Sequence, residues 1–152
     1  MKKNRIRFIL DENLGKLAKW LRFLGYDAAI YKSISIDNKI RLANKERRVY
    51  LTRDKKIAKL KKKFSRKLIV SQDYKEQLQE LKDYIEFAEE YVFLRCPNCN
   101  IALKSTDKDK IKKLAPEFIY QTNDEFKVCY KCGRVFWKGS HYKEIKKLLE
   151  SL

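Results

Sequence analysis

Two sets of side chains in this sequence could do chemistry. The first is Cys96, Cys99, Cys129 and Cys132, two C-x-x-C pairs separated by 29 residues. Two such pairs in a chain without a secretion signal read as one tetrathiolate zinc site, with each knuckle supplying two sulfurs from a tight turn. The gap exceeds the commonest spacing of about 15–20 residues, which a ribbon with an inserted loop accommodates. A redox pair or buried free thiols are the competing readings. The second set is Asp11, Asp37 and Asp54. Carboxylates that converge repel one another unless a cation sits among them. Mg²⁺ or Mn²⁺ suits oxygen ligands, keeps its waters and can coordinate a phosphate. Phosphodiester hydrolysis is the chemistry such a site would support.

Whether the aspartates meet depends on the elements that carry them. Arg7-Phe8-Ile9-Leu10 reads as a buried strand ending at Asp11. Leu14, Leu17, Ala18, Leu21 and Leu24 recur at helical spacing, with Gly25 as a stop. A second strand covers 28–31. Ser35 is placed to cap a helix to about Arg47, with Ile36, Ile40 and Ala43 inward. A third strand covers 49–52, a helix 55–63, a fourth strand 68–70 and a long helix 74–90. This alternation predicts an α/β domain with a mostly parallel sheet covered by helices on both faces. Ligands of such sheets bind outside the carboxyl ends of the strands, where Asp11, Asp54 and the helix start at Asp37 would gather. Two of the acids also have a plainer role, since Asp37 and Asp54 could serve the positive ends of their helices; Asp11, at the end of a buried strand, has no helix-cap role guaranteed. Asp73, with Glu76 three positions on, is read as a helix cap and left outside the primary site.

From residue 92 the helical signals thin out. The knuckles stand at both ends of this part, β-like segments are expected at 118–120 and 134–137, and a helix over about 142–149 closes the chain. The division is 1–91 for the α/β domain and 92–152 for the ribbon with its helix.

The chain has 152 residues, of which 37 are Lys or Arg and 20 Asp or Glu, a formal charge of +17. With 44% hydrophobic residues it can bury a core, which excludes a disordered polycation. Such a field favours polyanions, nucleic acid first. Nine of the basic residues fall between Arg53 and Lys67 against the single acid Asp54. No apolar run is long enough for a membrane span. The apolar stretch after the basic start is also too short for a signal peptide, so the cytoplasm is the expected compartment.

Phe8-Ile9-Leu10-Asp11 followed by the segment from Leu14-Gly15-Lys16 to Gly25-Tyr26-Asp27 resembles the opening of the PIN-like RNase domain first named from the C-terminal part of the mutator-seven exonuclease. Leu51-Thr52-Arg53-Asp54 resembles that family's second signature. Arg95-Cys96-Pro97-Asn98-Cys99, with Cys132-Gly133-Arg134 through His141, resembles its fused zinc ribbon. The resemblance covers essentially the whole chain. It implies a three-layer PIN-like fold, a metal-dependent ribonuclease and a structural zinc. By position, Asp11, Asp37 and Asp54 match the family's acids, and Asp73 is the nearest candidate for the fourth acid that PIN-type nucleases often present.

On a helical wheel, Lys16, Lys19 and Arg22 fall opposite the leucine stripe, with Trp20 and Phe23 among them. Cations interleaved with aromatics suit single-stranded RNA; packing of Trp20 and Phe23 under the ribbon, or in a dimer interface, is the alternative. Arg53, Lys55 and Lys56 could hold the RNA backbone, or Arg53 could pair internally. His141, the single histidine, could act as a general acid, but helix capping by Ser140 and packing explain its segment more simply. The expectation is a Mg²⁺- or Mn²⁺-dependent endoribonuclease acting on RNA, with ribosomal and transfer RNA as candidates. Its rivals are a non-catalytic RNA- or ribosome-binding protein with the same fold and a DNA-binding zinc-ribbon factor.

Overall fold

The computed structural model describes residues 4–151; the side chain of His141 lies outside the described residues, so its role is not assigned. Four strands, β1 (Arg7–Leu10), β2 (Ala28–Ala29), β3 (Arg48–Thr52) and β4 (Arg66–Leu68), form one sheet in the order β2-β1-β3-β4, and every pairing is parallel. Parallel neighbours need crossovers, which α1 (Gly15–Phe23), α2 (Ile36–Lys45) and α3 (Lys55–Ala58) provide.

Side chains alternate across the strands, so consecutive residues feed different cores. Phe8, Leu10 and Leu51 pack with Leu14, Leu17, Leu21 and Leu24 on one face, while Ile9 and Tyr50 pack with Ile40, Ala43, Ile57 and Phe64 on the other. All five residues of the first helical stripe are buried as their spacing requires. Gly25 ends α1 at φ +89°, where an added Cβ would lie 2.3 Å from the carbonyl oxygen of Tyr91. That position needs glycine for both conformation and space. Ser35 caps α2 by accepting from the Asn38 N–H.

Several elements depart from the sequence expectation for identifiable reasons. The helix expected over 55–63 stops at Ala58, because the Arg66 guanidinium takes the carbonyls of Ile57, Ala58, Leu60 and Lys62. The fourth strand lies two residues earlier than expected. The helix α4 (Tyr74–Glu80) ends ten residues short of 90. Beyond it, tertiary partners hold the Glu86 peptide: its N–H donates to the Tyr26 hydroxyl at 2.8 Å and its carbonyl accepts from Arg5 at 3.0 Å. Ile36, expected inward, is exposed.

The second sheet is antiparallel, in the order β5 (Lys104–Thr106), β6 (Phe126–Val128), β7 (Val135–Phe136). The β-like segment at 118–120 is instead part of a short helix, α5 (Glu117–Thr122), with Phe118 exposed. The last helix, α6 (Ser140–Glu150), begins at Ser140, and its cap position is Gly139, so Ser140 does not cap it. Tyr142, Ile145 and Leu149 of α6 enter the same core as Leu10 and Leu17. Among the described residues no helix is long and apolar enough to cross a membrane.

Candidate active site and metal centre

β1 and β3 are the two central strands, and both deliver an acid at their carboxyl ends. Asp11 directly follows β1, and its N–H donates to the Leu51 carbonyl of β3 at 3.3 Å. Its carboxylate is enclosed. Lys39 of α2 donates to Oδ1 at 3.0 Å, the Tyr50 hydroxyl donates to Oδ1 at 2.5 Å, and the Thr52 hydroxyl donates to Oδ2 at 2.6 Å. Lys39 is buried, 8% exposed, on the inward stripe of α2 that carries Ile40 and Ala43. Burial first, then the hydrogen bond to Asp11 and the charges of Asp11 and Asp54, raise the Tyr50 hydroxyl well above the ordinary tyrosine range. It therefore stays a donor at any physiological pH.

Asp54 is linked to Asp11 through a single side chain. The Thr52 hydroxyl that donates to Asp11 also accepts from the Asp54 N–H at 3.1 Å. The exposed Asp54 carboxylate caps α3, accepting from the Lys56 N–H at 2.8 Å. Asp37 stands in the first turn of α2, the helix that also supplies Lys39. Its carboxylate, 75% exposed, pairs with Lys62. The contacts thus tie Asp11 and Asp54 into one network and give Asp37 a separate partner. Asp73 is a helix cap, accepting from the N–H groups of Lys75 and Glu76 at 2.9 and 3.1 Å.

The basic residues divide into exposed and committed groups. Lys16, Lys19, Lys55 and Lys56 are exposed, with the Lys16 ammonium 4.4 Å from the centre of the Tyr74 ring. Arg22 departs from the wheel expectation. It is buried, with Nε donating to the Ala28 carbonyl at 2.8 Å and a terminal nitrogen donating to the Pro97 carbonyl at 3.0 Å. Those two nitrogens are spent on structure. Trp20 stacks on Tyr74 at 5.4 Å, and the buried Phe23 packs against Phe93 and Tyr142. Arg53 is half-buried, and its Nε is buried with no hydrogen-bond partner among the described residues. A donor in that condition costs free energy until something accepts from it.

The four cysteine sulfurs lie within 4.8 Å of one another, and Cys96 Sγ and Cys132 Sγ are 3.8 Å apart. Ligands at about 2.3 Å from a tetrahedral zinc stand about 3.8 Å apart, so this donor set fits the metal. Among the described residues it is the cluster of three or more His, Cys, Asp or Glu groups close enough to share an ion. Burial pushes the Cys96 thiol up to about 12. At Cys129 the effect of burial is outweighed by the N–H groups of Cys132 and Lys131, which bring the thiol down to about 7. The four cysteines are thus able to hold a metal ion, and their donor geometry is consistent with structural zinc.

The first knuckle is fastened to the parallel sheet. Asn100 accepts from the Ala28 N–H at 3.1 Å and donates to Asp27 at 2.8 Å. Asp27 also receives two hydrogen bonds from the buried Arg48, at 2.7 and 3.2 Å. Sequence reasoning missed this hub, and it missed Lys39, Tyr50 and Thr52 as well. For Lys39 a signal existed, a lysine falling on an otherwise apolar helical stripe. Tyr50 and Thr52 are signalled by strand alternation, which puts both on the face of Ile9.

In comparison with known families, residues 6–149 match the model described as the Mut7-C RNAse domain. No curated protein and no solved structure matches the chain.

Proposed function

The chain belongs to the Mut7-C RNAse domain family, and from that premise we propose that it is a metal-dependent endoribonuclease with a PIN-like fold, residues 1–91 forming the nuclease part and 92–152 a zinc ribbon with its helix. The observation that carries this reading is the Thr52 hydroxyl bridging Asp11 and the Asp54 backbone at the ends of adjacent central strands. Asp11 and Asp54, joined by Asp37 when it leaves Lys62, would hold Mg²⁺ or Mn²⁺. Such an ion supplies charge neutralisation at the phosphoryl oxygens and a more acidic water.

The chain's own groups set the rest. Thr52 and Tyr50 hold the Asp11 carboxylate in one orientation. Arg53, half-buried beside Asp54, would donate to a phosphate oxygen from its terminal nitrogens, because a guanidinium recognises phosphate through directed N–H groups. Lys16, Lys19, Lys55 and Lys56 would follow the RNA backbone as exposed cations, which makes affinity fall steeply with salt. Ribosomal and transfer RNA are the proposed substrates, in the cytoplasm.

The test is cleavage of labelled single-stranded and structured RNAs by the zinc-loaded protein with Mn²⁺, without added divalent metal, and with Asp11→Asn and Asp54→Asn proteins. Metal-dependent cleavage that either substitution abolishes supports the reading; cleavage that survives both overturns it. One observation favours a second reading, a non-catalytic RNA- or ribosome-binding protein. The Lys39 ammonium already neutralises Asp11 at 3.0 Å, as a cation there would. RNA binding without cleavage under any metal condition would establish that alternative.

A further inference from the structure

A cavity of about 840 Å³ opens between α1 and the ribbon, within the range of small-molecule sites of roughly 300–1,000 Å³. Trp20, Phe23, Phe136 and Trp137 are among the side chains that line it, and Lys16 and Lys19 stand on the α1 side. Among the described residues, no carboxylate lines it. Both lysines are exposed, whereas Trp20 and Trp137 are only half-buried and keep ring surface uncovered. Trp20 is held in place from behind, stacked on Tyr74 with 15° between the planes. The helix wall begins at Gly15, four residues after Asp11, and runs along α1 to Phe23.

We propose that this cavity receives an unpaired nucleobase of the bound RNA, stacked against Trp137, while Lys16 and Lys19 pair with the flanking phosphates. The inference rests on the RNA reading above and adds the subsite that reads the base. Aromatic walls alone would also suit an apolar protein segment. A cationic rim without acids, on the helix that leaves the candidate catalytic edge, selects a ligand with flat rings joined by anionic links.

The experiment compares binding of a short single-stranded RNA of mixed sequence with that of an abasic oligomer of the same length. It uses the full, zinc-loaded chain without added divalent metal. Two variants probe the cavity. Trp137→Leu removes a stacking surface. Gly15→Leu adds a side chain at a cavity-lining position that is already helical at φ −59° and has nothing within 4 Å of an added Cβ. Zinc content and circular dichroism confirm that both variants are folded.

The wild-type protein is expected to bind the base-bearing RNA about tenfold more tightly than the abasic oligomer, with a change in tryptophan fluorescence. Both variants are expected to lose that difference and to bind the abasic oligomer as the wild type does. Equal wild-type affinity for the two oligomers would overturn the proposal and leave the cavity to an apolar protein segment. Equal weakening of both oligomers by the variants would overturn it too. If neither oligomer bound at low salt, the RNA reading itself would fall, an outcome distinct from base-indifferent binding.

Discussion

The hydroxyl of Thr52 donates to Oδ2 of Asp11 at 2.6 Å while accepting from the backbone next to the second acid. One rotor therefore fixes the spacing of two groups that lie 43 positions apart in the chain. Thr52→Val keeps the shape and removes this function. Cleavage is expected to fall by about 10–100-fold, the usual cost of losing a group that orients a ligand, with circular dichroism unchanged. Wild-type rates in the valine variant would show that the bridge is not part of the machinery.

Lys39 bears on how Asp11 could accept a metal. An ammonium 3.0 Å from Oδ1 repels an incoming divalent ion by about 1–4 kcal/mol per unit charge, depending on solvent access. Lys39→Met is expected to tighten Mn²⁺ binding by at least about tenfold, measured by titration calorimetry on the zinc-loaded protein. Unchanged affinity would mean that the ion binds away from Asp11.

Asp27 predicts a pH dependence. Burial alone would raise its carboxyl, but the hydrogen bonds from Arg48 and Asn100 and the charges of Arg48 and Arg95 outweigh it and hold the group below the ordinary carboxylate range. A depressed folded value gives stability that is complete above the unfolded value of about 3.9 and is lost as pH falls through the folded one. Asp27→Asn should cost about 1.5–3 kcal/mol near neutrality, because the buried Arg48 loses two charge-assisted hydrogen bonds and keeps Glu46, at 3.0 Å, as its remaining charge partner. It should also flatten the acid limb of a urea-denaturation series below about pH 4. An unaltered acid limb would remove Asp27 as its cause.

The cysteine cluster predicts about one zinc per chain by elemental analysis. Cys96→Ser combined with Cys129→Ser should abolish it. A chelator, or acid that protonates the thiolates, should release zinc from the wild type. A protein that stays fully folded without the metal would remove zinc from the structural account.

Gly25 offers a backbone test. With φ at +89° and a carbonyl 2.3 Å from any added Cβ, Gly25→Ala should destabilise by more than the roughly 1 kcal/mol that the conformation alone costs. A denaturation midpoint equal to that of the wild type would contradict the close approach of Tyr91.

Much of this architecture was legible in the sequence because local rules and tertiary structure agree there. The stripe from Leu14 to Leu24 is buried throughout, and Ser35 and Asp73 cap the helices they precede. The failures occur where a distant side chain competes for the backbone. Residues 81–90 have helical periodicity, but Arg5 and Tyr26 take the Glu86 peptide. The segment 118–120 has β-favouring residues, yet it forms an isolated turn of helix in which Phe118 is exposed. At the candidate site the same logic holds. Asp11 and Asp54 could be placed by the strands they follow, whereas the partners of Asp37 and Arg22 depend on neighbours that only the folded chain brings near. Arg22 has surface spacing on a wheel, but the ribbon covers that side of the helix.

β2 is the outermost strand on its side of the parallel sheet. At Ala28 the outward carbonyl accepts from Arg22 and the outward N–H donates to Asn100. Such a border normally offers a template on which another polypeptide can pair. Here it is sealed by two side chains, one of them in the loop that follows the first cysteine knuckle. Removing either side chain would leave an outward backbone group of Ala28 open to pairing with a second polypeptide, so Arg22 and Asn100 guard a rim as well as joining the ribbon to the sheet.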